Sequence, residues 1–202
     1  RARARSSEPD LSRPPTSYTP AMPAMTSVIV SQGSFAGDDP YDLINSNLTV
    51  VNLLREEGYP PEQLPAAARA SYWVDFYRAQ MSNGGFPQLV YNARWDATVV
   101  AEIEAGLALM GAAEHLALFR TLAARVAALP ADELAAFLRS NLFGPNPTRD
   151  LLRDDAYFAL ARQHDLVAVG HAFLRGLPDL RVLSIDDMFA ALEQVLGRPI
   201  TR

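Results

Sequence analysis

The 202-residue chain has no cysteine. That excludes disulfides, thiolate nucleophiles and Cys-ligated zinc, and it fits a reducing cytoplasm. It has no lysine either, so every basic side chain is an arginine. Schiff-base catalysis and a Walker-type phosphate loop are excluded with it. The only histidines are His115, His164 and His171, without HExxH or other ligand spacing, and no metal is expected. No apolar run approaches the ~20 residues that cross a bilayer, so no membrane partner is expected. "GSFAG" at 33–37 puts its serine one place early for a nucleophile elbow, which removes Ser34 as a catalytic candidate. The acid pairs at 38–39, 56–57, 154–155 and 186–187 are adjacent in sequence, and helical neighbours diverge by ~100°, which is wrong for a shared acid–base site. No catalytic residue and no cofactor emerge, and the chain reads as a non-enzyme.

Strand signals are also scarce. "SVIV" (27–30) and "LRVLS" (180–184) are the extended-looking runs, and neither leads into a GxGxxG. What remains is a 49% apolar, 20% charged sequence of soluble globular type. Residues 1–25 are rich in Arg, Pro and Ser and read as a flexible tail without a secretory apolar region. Met25, ahead of "TSVIVS", reads as a natural start. Residues 26–202 carry 3-4 apolar spacing almost throughout. The expectation is an all-α single domain of roughly seven to nine helices. Asp39 and Pro40 mark one helix start and Gly58 its end. Gly111 divides a long pattern from Asp96 to Leu129. Thr148 is a candidate N-cap, and Ser184 with Asp187 has capping-box spacing. Asp155 is spaced to face apolar Leu151, Leu152 and Phe158, so it is expected to need a partner. "NLT" at 47–49 matches a glycosylation acceptor but lies within a helical pattern and reads as chance.

The stretch "FYRAQMSNGGFPQLVYN" (76–92) contains the most specific pattern. A helix from about Pro65 to Ser82 is expected to stop on Asn83 and Gly84 in the left-handed conformation. Gly85 then turns the chain close to the helix it has left. Phe86, before a proline, is expected to be extended, and Pro87 to start the next helix. Trp73, Tyr77, Gln80, Asn83, Gln88, Tyr91 and Asn92 crowd this corner in sequence, with Trp95 nearby. Amides and phenols either satisfy helix ends or recognise a ligand or protein partner.

"SYWVDFYRAQMSNGGFPQLVYNA" resembles the motif of a bacterial family of domains of unknown function, one that includes the C-terminal domain of a DMP-type DNA-mimic protein. The residues that carry the resemblance are Tyr72, Tyr77, Asn83, Gly84, Gly85, Phe86 and Gln88. "LINSNLTVVNLLREEG", "AGLALMGAAEH" and "LLRDDAYFAL" are similar as well, so it spans roughly residues 40–197. The resemblance implies a helical DNA-mimic-like domain over 26–202, no enzyme, a homodimer and, as mimic, a basic DNA-binding protein as partner. Mimicry needs carboxylates spaced like phosphates. The candidates are Asp38, Asp39, Asp42, Glu56, Glu57 and Glu62, with Asp150, Asp154 and Asp155 as a second set. The net charge of −5 argues against direct nucleic-acid binding. Three functions stay open: a protein-interaction module that regulates or antagonises a partner, an acidic DNA mimic, and a small-ligand binder or enzyme using the corner at 77–92.

Overall fold

The computed structural model describes residues 22–201. Strand β1 (Ile29–Ser31) runs straight into α1 (Gln32–Ala36) and then α2 (Pro40–Glu56). The Ser31 and Asp39 side chains accept from the backbone N–H groups of Ser34 and Tyr41, donors that a helix start leaves open. A 3-10 turn (Pro61–Gln63) leads to α3 (Ala66–Asn92). Gly111, at φ 70°, separates α4 (Ala97–Leu109) from α5 (Ala113–Ala127), so the long apolar pattern is two helices. There follow α6 (Ala131–Arg139), α7 (Pro147–Leu152), α8 (Ala156–Ala161), α9 (Leu166–Arg175), β2 (Arg181–Leu183) and α10 (Ile185–Leu196). The fold is all-α. Segments α1, α7 and α8 are no longer than six residues, and the longer helices carry the architecture. No helix among the described residues is long and apolar enough to cross a membrane.

Capping follows the sequence closely, with one displacement. Asp165 caps α9, and Ser184 accepts from the Asp187 N–H at 3.1 Å while donating to its carboxylate at 2.7 Å. The cap of α7 is Asn146, not Thr148, because Pro147 occupies the first helical position and moves the start two residues earlier. The two extended runs meet as a parallel pair, with Ile29 opposite Arg181 and Ser31 opposite Leu183.

Apolar side chains form two cores joined by α3. One gathers β1, α2, α10 and the first turns of α3, around Val30, Leu43, Leu54 and Leu192. The other gathers the rest of α3 with α4 to α8, around Tyr77, Phe86, Leu107 and Phe119. The tail assignment ends too late. Met25 is buried in the first core, and its N–H donates to Tyr59 Oη at 2.9 Å, while Tyr59 Oη donates to the Pro23 carbonyl at 2.6 Å. Residues 22–25 are therefore part of the packed domain, and the rest of the proposed tail, 1–21, lies outside the described residues. Asn47 is buried, donating to the Ala68 carbonyl at 3.0 Å, so the glycosylation match is indeed fortuitous.

Where α4 crosses α3, a side chain at Gly106 would be crowded. A Cβ there would lie 3.0 Å from Val74 Cγ2 and 3.1 Å from the Ala70 carbonyl oxygen. Helix propensity alone favours alanine over glycine by about 1 kcal/mol, but overpacking costs about 1–3 kcal/mol. Gly106→Ala is therefore expected to lower the urea midpoint with an unchanged m-value. A midpoint equal to or above wild type would show that α3 and α4 can move apart at no cost.

Candidate functional site

The Asn-Gly-Gly corner bends α3, and each of its three residues has a separate reason. Gly85 is the single residue inside α3 with non-helical dihedrals, φ 72° and ψ −167°. That combination is open essentially to glycine alone. The break therefore falls one or two residues later than expected from Asn83 and Gly84, and its geometry is extended rather than a left-handed helix cap. Nor does Gly85 turn closely against its neighbours: a Cβ there would meet only Pro87 Cδ, at 3.7 Å. Phe86 is helical, not extended. It is fully buried with its ring edge-on to Trp95 at 5.6 Å, and this packing overrides the local preference before Pro87.

Gly84 needs its missing side chain for a different reason. The Gln88 side chain folds back over it, and a Cβ on Gly84 would lie 2.2 Å from Gln88 Oε1. From that position Gln88 Oε1 accepts from Asn83 Nδ2 at 3.2 Å, and Gln88 Nε2 donates to Gln80 Oε1 at 3.0 Å. Asn92 Nδ2 donates to the same Gln80 oxygen at 2.7 Å. Four amides thus tie the two arms of the bent helix together. Tyr91 leaves the network and donates to the Ser140 carbonyl at the end of α6, at 2.9 Å. The polar set of the corner is occupied with the protein's own structure.

Two of the candidates lie elsewhere. Trp73 is twelve residues before Gly85, or ~18 Å of helix, and packs edge-on with Tyr72 and Phe76. Tyr77 is fully buried in the second core among His115, Phe119 and Tyr157. Its hydroxyl has no hydrogen-bond partner, and burial raises its pKa. His115 is buried beside it. Its Nε2–H donates to the His164 carbonyl at 2.7 Å, while Nδ1 has no partner. Burial holds the His115 pKa below the ordinary histidine value.

The acidic candidates are dispersed. Asp38, Asp39 and Asp42 lie at the start of α2, Glu56 and Glu57 at its end, ~25 Å away, and Glu62 in the 3-10 turn. Asp39 caps α2, and Glu57 pairs with Arg198 at 2.5 Å. In the second set Asp150 meets Arg149 at 2.8 Å, and Asp154 meets Arg125 at 2.8 Å. Asp155 is exposed, not turned to the core. It sits at the N-cap of α8, so helical spacing from Leu151 across the break between α7 and α8 does not apply.

Outside the corner, two adjoining clefts share Gly84, Pro87 and Arg153 and form one groove over the bend. Phe143 stands at one end, 87% exposed, and Phe158 at the other, 44% exposed. Leu151 of α7 is 64% exposed. Sequence reasoning missed this surface. Its signal was present in "NLFGPNP", where an aromatic sits in a loop that has no helical face to bury it.

Comparison with known proteins gives one family. A family model described as DMP19-like protein matches residues 62–176, which include the whole of α3 and the groove. No curated protein and no solved structure matches the chain.

Gly85→Ala is expected to destabilise the fold by about 1–3 kcal/mol through backbone strain alone. Gly84→Ala and Gln88→Ala should each cost about 1–2 kcal/mol by breaking the amide network. Because both break the same network, the double variant should cost clearly less than their sum. Full additivity in urea denaturation would mean that Gly84 and Gln88 act independently. His115 makes stability depend on pH. Its folded pKa is depressed, so the unfolded chain binds the extra proton first, and stability is lost as pH falls below ~6.5. The melting temperature should drop between about pH 7.5 and 5.5, and His115→Phe should flatten that drop. An identical slope in the variant would assign the effect to other groups.

Proposed function

The chain belongs to the DMP19-like protein family, and from that premise we propose that it is a non-enzymatic protein-interaction module that binds its partner through the groove over the bend of α3. The observation that carries this is the exposure of Phe143 and Phe158 along one groove over a rigid corner. Isolated exposed apolar residues are ordinary, but aromatics flanking one groove are the usual anchors of a protein interface. The corner itself supplies rigidity, since Gly85 and the amide network fix the groove floor before any partner arrives. A preformed surface binds with less ordering cost than a mobile one.

The second reading is an acidic DNA mimic whose partner is a basic DNA-binding protein. The family and the net charge of −5 favour it. The separation of the α2 acids and the pairing of Glu57, Asp150 and Asp154 with arginines weigh against it. The two readings differ in salt dependence and in the role of Glu56, Glu57 and Glu62, none of which lines the groove.

Affinity capture from a native lysate, followed by titration of the captured protein, separates them. For a groove partner, Phe143→Ser with Phe158→Ser should weaken binding by about thirtyfold or more, mainly through faster dissociation. Reversal of Glu56, Glu57 and Glu62 to arginine should then leave it almost unchanged. Binding that collapses with salt, competes with DNA and fails on the charge reversal would replace the groove with the mimic reading.

A further inference from the structure

A second concavity lies nearer the start of α3, between α2, the 3-10 turn and α4. Its volume is ≈ 130 Å³. Buried Val51 and Leu64 contribute apolar lining, and Tyr72 and Trp73 contribute an aromatic wall. The two rings are edge-to-face at 5.2 Å, so their orientation is set before anything binds. A cavity of about 150 Å³ with apolar lining holds one benzene ring. The space therefore matches a single six-membered ring.

The charges at the rim are not balanced. Arg69 is held by Glu102, at 3.1 and 3.3 Å, and by the Leu64 carbonyl at 2.8 Å. Arg55 has no carboxylate partner among the described residues. Its guanidinium lies 5.2 Å from the Tyr72 ring centre and 5.9 Å from that of Trp73, and it donates to Tyr72 Oη at 2.5 Å. A guanidinium has five N–H donors in a fork that fits a carboxylate. With one donated to Tyr72, an edge of the fork is left for an anion at the mouth of the cleft.

We propose that this cleft is a binding site for a small monocyclic aromatic carboxylate, with the ring against Tyr72 and Trp73 and the carboxylate on Arg55. The ring supplies the apolar contact and the anion supplies the orientation. A neutral ring of the same shape loses the charge-assisted bonds and gains nothing in exchange. The site shares no lining residue with the groove over the bend.

The test is titration of the full chain with phenylacetate, observing the indole N–H of Trp73 by NMR and using Trp95, in the second core, as internal control. Saturable shifts at Trp73 with a Kd of about 1 mM or tighter are expected. Phenylacetamide should bind about tenfold more weakly or worse, and so should phenylacetate to Arg55→Gln. Arg55 is exposed, so that variant should keep its melting temperature. Thr98→Trp, at the exposed rim, should block the cleft and abolish the shifts independently of charge. Absence of saturation at Trp73 up to about 10 mM overturns the proposal. So does equal binding of the neutral amide, or undiminished binding in Arg55→Gln or Thr98→Trp.

Discussion

Helix α3 serves both cores, and the bend at Gly85 redirects the arm that completes the second one. The first turns of α3 lie against α2 and the Tyr72–Trp73 cleft. Its middle carries Val74, Tyr77 and Met81 into the second core. A straight continuation could not also deliver Phe86, Leu89 and Val90 to that core and Tyr91 to the end of α6. One positive φ redirects the second arm, and four side-chain amides then fix the angle. Gly106 faces the first arm, where α4 lies so close to α3 that a Cβ would crowd Val74 and the Ala70 backbone.

Much of this was legible in the sequence, because helix ends are local. Asp39, Ser184, Gly58 and Gly111 mark boundaries by chemistry that acts within one turn. The Asn-Gly-Gly stop was legible as a stop, but its dihedrals were not. Which glycine takes the positive φ is decided by where Phe86 must be buried and where Gln88 must lie. The link between Gly84 and Gln88 is a contact across one turn, and no spacing rule announces it. The turn at Arg94 and Trp95 gave no sign at all. Both residues have positive φ, 54° and 47°, although neither is the glycine or asparagine such a turn favours. Their conformation is imposed from outside: Trp95 packs on Phe86 and Phe119, and Arg94 donates to the Leu138 carbonyl. The exposed groove was missed for a related reason. Apolar periodicity finds faces that are covered, and Phe143 belongs to no periodic element.

The exclusive use of arginine shapes the surface as much as the absence of cysteine shapes the chemistry. Arg149 donates to the carbonyls of Leu142 and Gly144 and to Asp150, holding the loop beneath Phe143. Arg69 ties α3 to α4 and to the end of the 3-10 turn. An ammonium could make some of these bonds, but not from one planar group at fixed angles. The acids engaged in this way hold elements together and are correspondingly less available to resemble a row of phosphates.

The two short strands are a minor part of the fold by size, yet they set an order of events. Ile29 pairs with Arg181, so nearly the whole domain lies in the connection between them. During synthesis β1 emerges early and has no partner until residue 183 has left the ribosome. Meanwhile Val28, Ile29 and Val30, all buried in the finished protein, have no α10 to cover them. The second core, whose elements fall between Val74 and Leu166, can assemble from contacts nearer in sequence. β1 can rest on α2 early, but its strand edge stays open until β2 is made, and a ribosome that stalls before β2 leaves an edge of the kind that invites pairing with another chain.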